Sequence, residues 1–313
     1  MAGNGVDLLC LGEGLVEFNQ GAPGGAYLQG FGGDASNVAV AAARLGLRVG
    51  MVSAVGGDAF GDLLLEMWRA EGVADTHVRR FEQRPTGLYF VTHGPEGHAF
   101  TYRRTGSAAS RYGPGDLPRA ALHATRALHV SAISQAISPS ACDAVFAAID
   151  MVRAAGGLIS YDTNLRLELW PLARARAIVQ ASVAQADVVL PGLEDARRLT
   201  GLEAPEAIAE RFLELGAGCV ALTLGREGAL YADASGVTHV APHRVEVVDA
   251  TGAGDAFDGA FLAARLNGAD GPSATRFANA AAALSVRGYG AVAPLPQRSD
   301  VETLLACRGE ESL

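Results

Sequence analysis

The chain contains no lysine: all 25 basic residues among its 313 are arginine. A phosphate-binding loop of the G-x-x-x-x-G-K-[ST] type needs its lysine, so that route to a nucleotide is closed. Schiff-base and pyridoxal-phosphate chemistry need one too and are excluded. Cysteine is scarce. Cys10, Cys142, Cys219 and Cys307 stand far apart without a CxxC pair and read as small apolar residues in a reducing compartment. No apolar run approaches the ~18 residues of a membrane helix. The first residues, Met1 to Asp7, carry no basic stretch, so no signal peptide and a cytoplasmic location are expected. Positive charge is in deficit as well. A net charge of -9 removes the general basic surface on which nucleic-acid binding rests. The histidines show no metal-ligand spacing.

What is present is concentrated in residues 245–266, Val-Glu-Val-Val-Asp-Ala-Thr-Gly-Ala-Gly-Asp-Ala-Phe-Asp-Gly-Ala-Phe-Leu-Ala-Ala-Arg-Leu. Val245 to Val248 reads as a short buried strand. From Asp255 the pattern is helical, with Phe257, Phe261, Leu262 and Leu266 on one face. Between them, Thr251-Gly252-Ala253-Gly254 lets a backbone come close to something. Strand, small-residue turn and helix N-terminus together make an anion site, because free N–H groups and the positive dipole end converge there. Asp255 has two readings. It is an N-cap, or it is the base that takes a proton from a nucleophile attacking the bound anion. Cradle and carboxylate together favour catalysis, and so phosphoryl transfer.

The rest of the chain alternates. Strands are expected at 6–11, 48–55, 127–131, 158–162, 188–190 and 219–224, with helices at 38–45, 63–71, 140–155, 172–184, 193–199, 206–215 and 277–286. Such alternation implies a mostly parallel sheet between helices, an α/β fold with ligands at the carboxyl ends of the strands. Asp162, Asn164, Arg166, Thr223, Gly225 and Asp255 all fall at or just after such ends. Two stretches break the rhythm. Residues 14–32 are extended and punctuated by glycine, and 86–104 form a hairpin around Gly94-Pro-Glu-Gly97. They suit a β lid of 14–32 and 85–106 over a core of 1–13, 33–84 and 107–313; a kinase needs a lid to keep water from ATP. Gly12-Glu-Gly-Leu-Val-Glu17 is only a partial dinucleotide fingerprint and is rejected.

Asp249 to Leu262 resembles the second signature of the ribokinase-like (PfkB) carbohydrate kinases. The resemblance makes Gly252, Ala253, Gly254 and Asp255 the anion hole and catalytic base. Ala250 departs from the Thr, Ser, Pro or Val usual there. Gly33 to Gly46, with Gly56 ten residues on, resembles the first signature, and the two stand in family order. Gly33, Asp34 and Asn37, which could merely cap a helix, then become ligands of sugar hydroxyls. Thr223-Leu-Gly225-Arg-Glu-Gly228 resembles the family's nucleotide loop, and Asn279 matches a position beside the adenine. Asn164 is assigned to the nucleotide as well. Glu194 matches the Glu of an N-x-x-E motif acting on Mg²⁺ through water, although Pro191 occupies the Asn position. The implied fold is a three-layer α/β/α core with a small β-sheet lid, using ATP, Mg²⁺ and, in some members, a monovalent cation. Lids of this family often pair between subunits, so a homo-oligomer, dimer or larger, is expected.

Arg104 and Arg166 speak to the acceptor. Either could be a surface salt-bridge residue, but two arginines at a ligand edge suit a carboxylate or phosphate better than a neutral sugar. Pro85-Thr-Gly-Leu-Tyr89, Phe100-Thr-Tyr-Arg-Arg104, Ser107-Ala-Ala-Ser110 and Asp162-Thr-Asn-Leu-Arg166 resemble the 2-keto-3-deoxygluconate kinase branch. There, tyrosines and arginines (here Tyr89, Tyr102, Arg104 and Arg166) hold the keto acid. Arg103 replaces a usual second Tyr and Thr163 a usual Pro. The expectation is phosphorylation of a sugar acid at a primary hydroxyl. The rivals are a fructose or ribose kinase of the same fold, a non-catalytic nucleotide-binding regulator and a dehydrogenase.

Overall fold

Strand β1, Leu8–Leu11, has no polar side. Leu8 and Cys10 enter one apolar core, Leu9 and Leu11 another. A strand buried on both faces belongs inside a sheet covered by helices. The computed structural model describes residues 5–20, 24–94 and 97–307 and places β1 there. Next come β2 (Leu15–Gln20), β3 (Tyr27–Gly32), α1 (Asp34–Arg44), β4 (Val49–Gly56), α2 (Ala59–Ala70) and β5 (Val73–Phe81). They are followed by β6 (Leu88–Gly94), β7 (Gly97–Arg103), α3 (Arg119–Ala124), β8 (Ala127–Ser131), α4 (Ala132–Ala136) and α5 (Pro139–Ala154). The chain goes on through β9 (Leu158–Asp162), α6 (Leu172–Val183), β10 (Val188–Leu190), α7 (Leu193–Thr200) and α8 (Pro205–Glu214). The last elements are β11 (Cys219–Thr223), β12 (Ala229–Asp233), β13 (Gly236–Val240), α9 (Ala253–Leu266), α10 (Gly271–Ser285) and α11 (Arg298–Cys307).

Among the described residues, nine strands make the large sheet in the order β13-β12-β11-β10-β9-β8-β1-β4-β5. Its pairings are parallel from β5 to β11, and β12 and β13 turn back antiparallel. Helices cover both faces, giving the three-layer α/β/α core of a ribokinase-like fold. The second sheet has four strands in the order β3-β2-β6-β7. In it Tyr89 faces Tyr102 across the β6–β7 pair, their rings stacked 5.7 Å apart. Among the described residues, no helix is long and apolar enough to cross a membrane.

Several elements differ from expectation. Val245 to Val248 is not a strand; Val247 and Val248 are 61% and 44% exposed. These valines have no sheet neighbour. The chain there is tied instead to α10's end, where Val248 N donates to Val286 O at 2.8 Å. β5 and β13 lie at the sheet's two edges, β5 mostly half-buried and β13 largely exposed, so they lack the apolar run that announces a buried strand. α11 buries only Val301 and so carries little apolar periodicity. α1 starts at Asp34, and α10 starts at Gly271, where Asp270 accepts a cap bond from Ser273 N at 2.7 Å. The hairpin's Pro95 and Glu96, the first residues and the tail from Arg308 lie outside the described residues.

Candidate active site

Helix α9 is buried along Asp255–Ala264, an uncommon state for a helix that starts at a ligand edge. Its neighbours are α10 on one side and α1 on the other. Gly259 permits the α1 contact, because a Cβ there would come within 2.6 Å of Ala41 Cβ and 2.9 Å of Val38 O. That close crossing brings Asn37, on α1, against Asp255. The Asn37 amide donates to Asp255 Oδ2 at 2.7 Å. Two residues 218 apart in sequence are joined because two helices meet at a glycine.

The turn into α9 is locally built. Asp249 Oδ1 accepts from Thr251 N at 2.9 Å and Thr251 Oγ1 at 2.7 Å, while its Oδ2 accepts from Gly290 N at 2.9 Å. Gly252 then takes φ 75°, left-handed backbone that favours glycine, and a Cβ would also press on Ala291 at 3.0 Å. A Cβ on Gly254 would meet nothing within 4 Å. Ala253 N donates to Ala250 O at 3.2 Å, and the next N–H groups, which a helix cannot satisfy internally, lie beside the free space at Gly254, which suits an anion.

Two cavities meet at this point. The first, about 730 Å³, is lined by Gly33, Asp34, Asn37, Tyr89, Tyr102, Arg104, Asn164, Arg166 and residues 250–255, among others. The second, about 870 Å³, is lined by Thr223, Gly225, Gly228, Val245, Val247, Phe257, Asn279 and Val286, among others. Thr223, Ala250, Ala253 and Gly254 belong to both. Val245 and Val247 wall a cleft instead of filling a core, which accounts for their apolar character. Asn279 donates to Val240 O and Ala241 O, each at 3.2 Å, and so braces the chain leaving β13 at the second cavity. Asn164, expected on the nucleotide side, lines the first cavity.

Glu194 is not brought to either cavity. It is exposed and paired with Arg197 at 2.7 Å. The next residue, Asp195, lines the first cavity, accepts from Leu165 N at 2.9 Å and lies 3.7 Å from Arg166. Consecutive helical residues point about 100° apart, so only one of the two can face inward. Sequence reading also passed over Asp258 and Glu13, both buried at the first cavity. Asp258 was within reach of it, three residues after Asp255 and on the same helical side. Glu13 stands inside the discarded Gly12-Glu-Gly14 pattern and meets Arg104 only through the fold.

The floor of the first cavity is acidic. Burial and the negative Asp34 push Asp255 up to about 7, while the Asn37 hydrogen bond and Arg166 pull it down. Burial and neighbouring carboxylates raise Asp162 and Asp258. Asp34 accepts from Ser131 Oγ, leaving its Oδ1 without a partner among the described residues, as is Asn37 Oδ1. Those oxygens can take hydroxyl donors. Tyr89 donates to the buried Glu17. A carboxylate that ionises near neutrality, beside a helix N-terminus open to anions, fits proton abstraction during phosphoryl transfer.

The class this defines is a phosphotransferase of ribokinase-like fold. The family model "pfkB family carbohydrate kinase" matches residues 6–298, and the chain belongs to that family. It is 34% identical over 312 residues to a 2-dehydro-3-deoxygluconokinase of Bacillus subtilis, covering 97% of this chain and 96% of that protein. It is 35% identical over 310 residues to one of Thermoproteus tenax, covering 96% and 94%. Among solved structures, a putative ribokinase II from E. coli in complex with ATP and Mg²⁺ superposes with a TM-score of 0.89 at 29% identity, covering 96% of this chain and 99% of that one.

Proposed function

We propose that this carbohydrate kinase transfers the γ-phosphoryl group of ATP to a primary hydroxyl of a sugar acid, 2-keto-3-deoxygluconate, giving 2-keto-3-deoxy-6-phosphogluconate. The observation that carries the reading is the junction: two cavities open onto one helix N-terminus, with Asp255 beside it. The acceptor occupies the first cavity and the nucleotide the second. Asp255 takes the hydroxyl proton as the oxygen attacks phosphorus and the bond to ADP breaks. Residues 252–254 hold the moving phosphoryl charge with backbone N–H groups. Asn37 orients Asp255 and, with Gly33, Asp34, Tyr89 and Tyr102, fits the sugar. Arg166 and Arg104 receive the carboxylate, and the two 2-dehydro-3-deoxygluconokinase relatives support that choice.

The described residues contain no group of three or more side chains able to hold a metal ion. A Mg²⁺ carried on nucleotide phosphates would suit the site better, and Asp195 and Asn164, both in the first cavity's wall, are the residues that would help to hold it. Such an ion neutralises phosphate charge where the chain has no lysine. Free cysteines and ATP use suit the cytoplasm. The exposed Leu28 and Phe100 of the small sheet suit contact with a second copy, which light scattering tests. The deciding experiment is ADP release against a panel of sugar acids and neutral sugars. Turnover with 2-keto-3-deoxygluconate above fructose and ribose supports the reading; preference for a neutral sugar overturns the acid, and no release with any acceptor overturns the kinase.

A further inference from the structure

Glu13 and Arg104 occupy two of the four places where the chain crosses between the sheets. Glu13 lies between β1 and β2, and Arg104 follows β7. Their side chains form an ion pair 1% and 10% exposed, and both line the acceptor cavity. The pair is incomplete. Glu13 Oε2 and Arg104 Nε are buried and have no partner among the described residues. Arg104 is also held over the Tyr102 ring, with Cζ 4.2 Å from its centroid. Burial raises Glu13, and Arg104 is the main influence holding it down.

Unpaired buried polar atoms are costly, and a half-satisfied ion pair more so than a neutral group. A sugar acid carries both missing partners: a carboxylate for the guanidinium, which has donors to spare, and hydroxyls for the carboxylate oxygen. A neutral sugar supplies only the second. Resting on the sugar-acid reading above, we propose that Glu13 is a specificity-determining residue, which holds Arg104 at the cavity wall for the acceptor's carboxylate and takes a hydroxyl of the same acceptor on its free oxygen. Discrimination then comes from leaving site groups unpaired when the wrong acceptor enters.

The test is steady-state kinetics of Glu13→Ala and Glu13→Gln with 2-keto-3-deoxygluconate and with a 3-deoxyhexose lacking the carboxylate. For Glu13→Ala, KM for the acid should rise roughly 10- to 100-fold, with kcat and the KM for ATP within about threefold of wild type. Glu13→Gln, which keeps an acceptor for Arg104, should recover part of that loss. In an Arg104→Leu background, Glu13→Ala should add less than about threefold, because one residue acts largely through the other. Full additivity with Arg104→Leu overturns the proposal, as does an equal loss for acid and neutral acceptor. If Glu13→Ala does not fold, Glu13→Gln decides: a wild-type KM for the acid overturns it. A wild-type enzyme that ignores the acid sinks both readings, whereas one that uses it while both Glu13 variants keep its KM sinks only this one.

Discussion

The two cavities that meet at Gly254 are built from opposite materials. The first, which we assign to the acceptor, carries Asp34, Asp162, Asp255, Asp258, Glu13, Arg104 and Arg166. The second, which we assign to the nucleotide, is walled mainly by valine, alanine, glycine and phenylalanine, with Arg226, Glu227 and Arg244 also in its lining and Asn279 spent on backbone carbonyls. On that assignment the acceptor meets a cluster of charged side chains, and the nucleotide meets mainly small and apolar side chains and main chain. The difference implies that substitutions should separate cleanly: charge changes should alter acceptor use and chemistry, and volume changes should alter nucleotide use. The junction alone should affect both.

Asp255→Asn is the strongest break. Turnover should fall by about 10²- to 10⁴-fold, with ADP binding by calorimetry unchanged. The same variant should be more stable than wild type. Asp255 titrates near 7 when folded against an ordinary 3.8, so the folded state holds a proton the unfolded state has lost. Stability from that proton is full below 3.8 and fades as pH rises through about 7. The melting-temperature gain of Asp255→Asn should therefore be larger at about pH 8 than at about pH 5. In the wild type, kcat/KM should rise with pH through about 7, where the base loses its proton. A flat profile there would remove Asp255 from that role.

Next in size is Gly254→Val, which fills the open space at the junction. It should lower kcat by about 10²-fold and weaken phosphate-bearing ligands without changing the binding of adenosine. Arg166→Leu should raise KM for a sugar acid roughly 10- to 100-fold while leaving that for ATP alone, and equal effects on both would merge the two cavities' roles. The smallest effect belongs to Val247→Ser, expected to raise KM for ATP about two- to fivefold and leave the acceptor untouched.

The same contrast explains what could be read without coordinates. The alternation of strands and helices was legible because buried parallel strands and packed helices carry dense apolar patterns. Edge strands β5 and β13 and the exposed α11 carry weak ones. Val245 to Val248 misled for the converse reason, since a cleft wall and a buried strand use the same residues. Asp255 stood out because its cradle is contiguous. Glu194 and Asp195 are one residue apart, and only helix phase decides which turns inward. Asn37 on Asp255 and Glu13 on Arg104 are long-range meetings that depend on helix crossing and sheet connection.

The small sheet comes from two segments, 15–32 and 88–103, and neither contains any residue of the turn at 249–255. On the reading above, these segments bring Tyr89 and Tyr102 to the acceptor cavity and have Glu13 and Arg104 just beyond their ends, while the turn at 249–255 sits elsewhere in the gene. Exchanging 13–32 together with 88–104 between relatives should shift acceptor preference while leaving the reaction in place, so descent with new substrates needs no rebuilding of the helix that starts at 253.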